Sequence, residues 1–564
     1  MRTKQRTRHN AAQARPSVSP PASDPFPKRF LAALEQHGTA IVLALVALAT
    51  VRIAATYTVF NHTADEPAHV ACGMEWLAQG EYRWEPQHPP LARVAAAFGP
   101  YLLGDRPQGT PRNVPFAQFK EGSAILFSGG RYDLALALAR AAMLPFFWMA
   151  CLVTWWWGAR YFGRAAAVIA VFVFTFLEPV LAHSGLATTD IALTAFMGAA
   201  FLAGAVWLEQ PGTRHALWFG FAVGLMVLSK FSSLVFFPAA AALAFAWYWF
   251  SERPDCARLA QEARRRLPGL ALATLVALIL VWGGYRFHFR PVHAGGASVP
   301  APELFAGIEQ VREHNAAGHD TYLLGQRGTT GFWDFYLVGL AVKTPLPVLA
   351  LFLIGMVAVW RARRKFPRRL FPLAYCVGVL AVGMFSRINI GIRHVLPIYM
   401  GIALVAAAGA VNLLERGQTH KWIQAVLAAL LLWFTAGSLA AHPDYLPWFN
   451  ELAGSEPENI LADSDLDWGQ DIKRLAHRLH ELGATDVTFD RYIVVDLAAL
   501  GFPRVHPMNG NYPSPGWNAL GVGVWKESRL FLWPDQIKPR ERVGKSILLW
   551  YFGQSPSTAP SVQP

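Results

Sequence analysis

About eleven apolar runs, each close to the length needed to cross a bilayer, leave this chain few ways to fold. They lie near 38–59, 134–157, 164–182, 190–208, 215–229, 233–250, 268–285, 338–360, 370–386, 395–414 and 422–441. A membrane-spanning helix needs about 20 such residues, so the chain reads as an all-α polytopic membrane protein. The runs at 164–208 and 215–250 read as hairpins with tight turns. Only 15% of residues are charged, against roughly 25% in a soluble domain, and the 21 tryptophans suit rings placed at membrane–water interfaces. A disordered chain and an ordinary soluble enzyme are excluded.

The basic residues set the orientation. The arm 1–37 carries Arg2, Lys4, Arg6, Arg8, Arg15, Lys28 and Arg29 and is rich in Pro, Ser and Ala, a disordered composition. It lacks a signal-peptide pattern, because a full-length span follows without a small-residue cleavage site close behind. With this arm in the cytoplasm, every second loop is basic as well. Arg160 and Arg164 come first, then Arg253, Arg258, Arg264, Arg265 and Arg266. Arg361, Arg363, Arg364, Lys365, Arg368 and Arg369 follow, and Arg416 with Lys421 completes the set. This alternation obeys the positive-inside rule. A nucleic-acid partner is not implied by the net charge of +13, since the cations form short clusters between apolar runs.

The opposite face then holds the loops 60–133 and 286–337 and the C-terminal segment 442–564. That segment has soluble composition, with a helix signal at 470–482 and a β-like run at 486–495. It is expected to form a small α/β domain outside the membrane, attached to a transmembrane domain spanning 38–441. Cys72 is the one cysteine on the outer face, with Cys151 and Cys376 in spans and Cys256 inside, so no intramolecular disulfide is expected. There is no phosphate-binding loop, dinucleotide fingerprint or Cys/His metal array.

Chemistry-bearing residues gather on the outer face. Asp65-Glu66-Pro67 follows the first span, and Pro67 suits the first turn of a helix on which Val70, Met74 and Leu77 share one side. The acids either do chemistry or cap that helix against its dipole. Farther along, His88-Pro89-Pro90-Leu91 is a rigid turn, and His88 and Arg93 either present charge to a phosphate or are simply solvated. Asp190 opens a span after Leu186-Ala187-Thr188-Thr189, where it is an N-cap or first-turn acid or a functional carboxylate. Lys230 either snorkels to the interface or serves the site. Lys230, Lys343, Arg387, Arg393 and His394 all break the positive-inside bias, and ionisable groups near membrane depth are functional candidates. Together these residues suit an anionic, lipid-borne substrate, with a carboxylate as base and cations holding a phosphate. The run Asp463-Ser464-Asp465-Leu466-Asp467-Trp468-Gly469-Gln470-Asp471 fails as an EF-hand loop, because Trp468 and Arg474 occupy the places of its Gly and Glu. It is read instead as the acidic start of the 470–482 helix, or as a contact to a sugar or cation.

These motifs resemble the bacterial family 39 glycosyltransferases, relatives of protein O-mannosyltransferases and of lipid A aminoarabinose transferases within the GT-C class. The resemblance is carried by Asp65-Glu66, His88-Pro89-Pro90-Leu91, Leu186-Ala187-Thr188-Thr189-Asp190, Lys343-Thr344-Pro345-Leu346, Arg393-His394-Val395-Leu396-Pro397 and the Asp465–Asp471 run. It extends from about residue 38 to about residue 480. It implies a GT-C-like fold and an inverting transfer of a monosaccharide from a polyprenyl-phosphate donor to a lipid, glycan or protein acceptor at the outer face of a bacterial inner membrane. Asp65 matches the catalytic base, with Glu66 supporting it or binding acceptor. Arg393 and His394 match the phosphate side, with His88, Lys343 and Lys230 in support and Asp190 and Arg387 as acceptor or secondary residues. The class includes members with and without a divalent metal, so that question stays open. The other readings of the same residues are a transporter or flippase for a lipid-linked or anionic solute, and a structural subunit.

Overall fold

The computed structural model describes residues 26–553 apart from Tyr492 and Arg529. Most of the basic arm at 1–37 therefore lies outside the described residues. Seven helices among those described are long and apolar enough to span a membrane, and nine spans result if each of two bent helix pairs counts as one. The expected spans at 215–229 and 370–386 are the helices Thr213–Ser229 and Phe371–Met384, of 17 and 14 residues, short of the usual spanning length. The chain is thus a multi-pass, mostly helical membrane protein with a small sheet domain at its C-terminal end.

The sharper of the two bent pairs breaks where the sequence supplies a reason. Phe335–Lys343 and Leu346–Ala362 meet at 113°. Thr344, which precedes Pro345, is extended, as a residue before proline tends to be. Arg164–Phe176 and Glu178–Ser184 meet at 65° across the extended Leu177.

The two expected hairpins do not pack as hairpins. Arg164–Phe176 lies against Leu144–Tyr161, Phe26–Ala54 and Ile398–Gly417 instead of Asp190–Glu209, because the bent segment Glu178–Ser184 comes between them in the chain. Thr213–Ser229 turns sharply into Ser233–Glu252 but packs on Cys256–Gly284 and Asp190–Glu209. A small-residue seam decides this: Cβ atoms at Gly220 and Gly224 would meet Ala273 and Leu280 at 2.3 and 2.9 Å, so the two backbones are in close contact, as small residues allow inside membranes.

The loop 60–133 folds into the helices Glu66–Gln79, Pro90–Leu102 and Ala117–Ser128. The first, expected to be amphipathic, is instead buried on every face over residues 66–75, His69 and Glu75 together with Val70 and Met74, because the neighbouring loop helices enclose it. The third crosses the first closely enough that a Cβ on Gly122 would lie 1.7 Å from the Pro67 carbonyl oxygen; only glycine fits there. The loop 286–337 contributes the hairpin Phe289–Pro291/Ser298–Pro300, the helix Pro302–Ala317 and the hairpin Thr321–Leu323/Gln326–Gly328.

The C-terminal sheet has strand order Arg504–His506, Asp486–Asp490, Gly516–Gly521, Ile547–Phe552, Glu541–Val543. Its first three strands are parallel and the last two pair antiparallel. The helix Ile472–Glu481 buries Ile472, Leu475, Ala476 and Leu479, one face of a 3.6-residue repeat, on Val487, Phe489 and Leu549. Helix and strand match the expected 470–482 and the first half of 486–495. All four cysteines are free.

The sheet domain joins the loop 60–133 through hydrogen bonds. Ala64 N–H donates to the Trp468 carbonyl at 3.0 Å, and the Asn61 amide donates to the Gly469 carbonyl at 2.7 Å while accepting from Lys473 N–H at 3.0 Å. The Asp463–Asp471 run is thereby laid across one end of the helical bundle.

Candidate active site

Asp65 stands at the N-cap position of Glu66–Gln79, yet its backbone is already helical and its side chain makes no capping bond. Its carboxylate instead accepts from Arg393 Nη1 at 2.8 Å, while 28% of the side chain stays exposed. Asp65 thus gives the helix no hydrogen-bonded cap and directs its carboxylate to Arg393. Asp190, fully buried at the start of Asp190–Glu209, accepts from Lys230 Nζ at 2.6 Å and from Thr188 Oγ1 at 3.1 Å, with Arg393 Nη1 4.0 Å away. Two acids and two cations thus form a chain from the partly exposed Asp65 through Arg393 and Asp190 to Lys230. Lys230 is ion-paired instead of snorkelling.

Arg393 is held in place by the sheet domain. Its guanidinium lies over the Trp468 ring at 4.1 Å, and Nε donates to Ser464 Oγ at 3.1 Å. Burial opposes its charge, but Asp65, Asp190 and Asp463 outweigh that cost and raise its pKa above the ordinary arginine value. Gly391 permits the approach: its φ is 135°, and a Cβ there would lie 2.3 Å from Ser464 Oγ, a conformation that favours glycine.

The expectation that Asp463–Asp471 forms an acidic helix start is corrected. Only Asp471 occupies the N-cap place of Ile472–Glu481, and it makes no capping bond. Asp471 instead accepts from Lys545 N–H and from Ser546 Oγ–H at 3.0 and 2.9 Å, and Asp467 accepts from Gly523 N–H at 2.8 Å. The Asp465 carboxylate accepts from Ile392 N–H at 3.1 Å. The run is a clasp between the sheet domain and the Arg393 turn.

Burial raises the Asp463 carboxyl to about 7, with Arg393 opposing and Asp65 and Asp465 adding to the shift. Glu527 faces it and is likewise raised, by burial first and then by Asp463. A carboxyl raised on folding holds its proton in the native state after the unfolded chain has lost it. Its stabilising influence is therefore full below about pH 4 and is lost as pH rises to about 7. Asp463→Asn, tolerated at the left-handed φ of 49°, should flatten the fall of Tm between pH 5 and pH 8. An unchanged slope in a thermal-unfolding series would refute this.

The remaining expected residues divide. Glu66 is fully buried, accepting from Arg140 at 2.8 Å through both oxygens, from Ala187 N–H at 2.9 Å and from Thr63 N–H at 2.8 Å. Burial pushes its pKa up, but Arg140 and these donors outweigh burial and set it below the ordinary value. It ties the loop 60–133 to the 185–189 turn and presents nothing to a substrate. Lys343 is also drawn away: Nζ donates to the carbonyls of Leu446 and Asp465, both at 2.7 Å, and lies over the Phe449 ring. Arg387 is exposed and donates to the Ala316 carbonyl at 3.3 Å. Arg93 is occupied by Glu85 and by His69 Nδ1.

His394 follows Arg393 in the turn Ile392–Val395, and the His88 ring meets His69 edge-on at 5.5 Å. Burial, then neighbouring positive charges including Arg393 and Lys230, pushes the pKa of both His88 and His394 well below the ordinary histidine value. Both are neutral at pH 7, where the sequence suggested cations, and His88 Nδ1 is buried with no hydrogen-bond partner among the described residues. Among the described residues one group has the spacing for a metal ion, Glu81, His288 and Glu303. Arg290 pairs with both of its glutamates and supplies the counter-charge there, and neither Asp65 nor Arg393 belongs to it.

Arg140, Ser464, Trp468 and Asp463 were not picked out as individual site residues. Arg140 carried a usable signal, an arginine inside an apolar span, where an unpaired charge is costly.

No protein-family model matches the chain, and no curated protein matches it. Solved structures do. ArnT from Cupriavidus metallidurans bound to undecaprenyl phosphate superposes with a TM-score of 0.50 at 15% identity, covering 91% of this chain and 98% of that one. The apo state of the same protein gives 0.48 at 14% identity, with the same coverage. The oligosaccharyltransferase AglB from Archaeoglobus fulgidus, in complex with an inhibitory peptide and a dolichol-phosphate, gives 0.44 at 14%, covering 79% and 58%. At such identities the first likeness bears on the fold. That fold is the GT-C type expected from the motifs.

Proposed function

We propose that this chain is an inverting glycosyltransferase that moves a monosaccharide from a polyprenyl-phosphate carrier to an acceptor at the periplasmic face of a bacterial inner membrane. The observation that carries the reading is the Asp65–Arg393 pair: a partly exposed carboxylate fixed on a buried arginine at one end of a membrane bundle, on the fold of a protein crystallised with undecaprenyl phosphate.

In this reading Asp65 accepts the proton of the acceptor hydroxyl as its oxygen attacks the anomeric carbon. The carrier phosphate leaves from the opposite side, which inverts that carbon. Arg393 holds the Asp65 carboxylate in place for the attack and, already oriented by Trp468 and Ser464, stabilises charge on the departing phosphate without reorganisation. His88 and His394 contribute neutral hydrogen bonds. Lys230 acts through Asp190 by holding Arg393 in register. A lipid phosphate is already a good leaving group, so no general acid is required. A transporter fits less well, because these charges pair with one another at one end of the bundle instead of lining a path across it.

The test is a deletion strain of the source organism, profiled for glycolipids and glycoconjugates. Loss of one sugar modification, restored by the wild-type gene and not by Asp65→Asn, is expected. An unchanged profile, or full restoration by the variant, would overturn the reading. For orientation, reporter fusions after residues 260, 365 and 445 should give inside, inside and outside signals. An inside signal at 445 would reverse the C-terminal assignment.

A further inference from the structure

At the other end of the bundle lies a cavity of about 520 Å³ that the reaction at Asp65 does not use. The helix Asp190–Glu209 runs from the site to this cavity, and its 20 residues span roughly 30 Å. Glu209 organises one wall, accepting from Arg160 Nε at 3.2 Å and from Tyr161 O–H at 2.8 Å and pairing with Arg368 at 3.2 Å.

Two further cations in the lining, Lys365 and Arg369, have no carboxylate within 4.0 Å among the described residues. Arg369 Nε donates only to the Tyr161 carbonyl, at 2.9 Å, and its guanidinium lies over the Phe366 ring. Trp247 and Tyr248 also line the cavity, with the Trp247 indole N–H donating to the Pro367 carbonyl at 3.2 Å. One acid, Glu252, also lines the cavity, leaving the cations in excess.

Topology alone accounts for basic loops on this side. It does not account for four of those cations, from two loops far apart in sequence, converging on a ligand-sized cavity walled by aromatic rings. Ligand sites usually enclose roughly 300–1,000 Å³, Trp and Tyr belong at the headgroup level, and basic pockets between membrane helices on the cytoplasmic side take anionic headgroups. We propose that this cavity binds the phosphate headgroup of an anionic phospholipid from the inner leaflet, with Lys365 and Arg369 on the phosphate and Trp247 and Tyr248 beside the glycerol and upper acyl chains.

The test uses the purified, delipidated full chain, titrated with dioleoylphosphatidylglycerol, dioleoylphosphatidylcholine or inorganic phosphate. Bound lipid is read by native mass spectrometry and stabilisation by Tm. Phosphatidylglycerol should bind and raise Tm, and the other two should not. Lys365→Gln/Arg369→Gln should weaken that binding about 30-fold, the weight of two basic groups at an anionic surface. Arg361→Gln/Arg364→Gln, with the same charge change outside the cavity, should leave it unaltered. Arg369→Gln removes a structural hydrogen bond, so Lys365→Gln alone, with no hydrogen bond to lose among the described residues, should still weaken binding several-fold. Equal binding of phosphatidylcholine, equal losses in the two double variants, or no loss in Lys365→Gln would overturn the proposal. Stabilisation by inorganic phosphate alone would overturn the lipid as its source.

Discussion

Asp65→Asn should lower sugar transfer by at least ~10²-fold, the usual contribution of a positioned acid–base group, and leave the protein folded. The two halves of this expectation come from different observations. Turnover depends on the carboxylate because Asn has no site that accepts a proton at neutral pH. The fold does not depend on it, because Asp65 makes no capping bond and its pair with Arg393 is partly solvated. Arg393 also keeps Ser464, Trp468 and the nearby Asp190, so its buried charge is not left without partners. Donor binding should change little, since the phosphate is held by other groups. Single-turnover rates together with Tm decide the matter. A variant with normal Tm and most of its transfer rate removes Asp65 as base, and the enclosure of Glu66 and Asp190 then leaves neither as a ready substitute.

The sequence made the spanning architecture and the outer cluster readable for one shared reason. Apolar runs and misplaced charges are local signals, and Asp65, Asp190, Lys230 and Arg393 each stand beside a span where charge is unexpected. What stayed hidden was pairing. Lys343 breaks the positive-inside bias as clearly as Lys230 does, yet Lys230 meets a carboxylate forty residues earlier in the chain, whereas Lys343 meets two backbone carbonyls supplied by the C-terminal segment. Nothing in the sequence near either lysine distinguishes the two outcomes. The Asp463–Asp471 run looked like a helix start because acids before a helix are common, and its true partners are backbone N–H groups of a short helix and a turn far along the chain. The helix neighbours were misread in the same way: short turns suggested hairpins, while the Gly220–Ala273 seam selected a different partner.

Glu66→Gln should cost far more stability than Asp65→Asn, although the two acids are adjacent. Glu66 and Arg140 are 0% and 1% exposed, and breaking one side of such a pair costs about 3–5 kcal/mol, because the surviving charge is left buried and unpaired. Gln keeps the shape and one acceptor oxygen. It cannot serve Arg140, Ala187 N–H and Thr63 N–H together, and its amide N–H₂ would point at a donor. Arg140 also donates to the carbonyls of Tyr57, Phe60 and Asn61, so it cannot swing out to solvent without orphaning the end of the first span. The loss should appear as a lower Tm and a lower yield of folded protein at pH 7. It should shrink in acid: the Glu66 carboxyl, depressed on folding, contributes stability above its unfolded pKa and loses it as pH falls through the folded value. Wild type and variant should therefore converge as pH drops below about 4. A variant with wild-type Tm at pH 7 would mean that the buried pair is not what joins the loop 60–133 to the 185–189 turn. Low transfer in that same stable variant would instead place Glu66 in the reaction, a role its enclosure argues against.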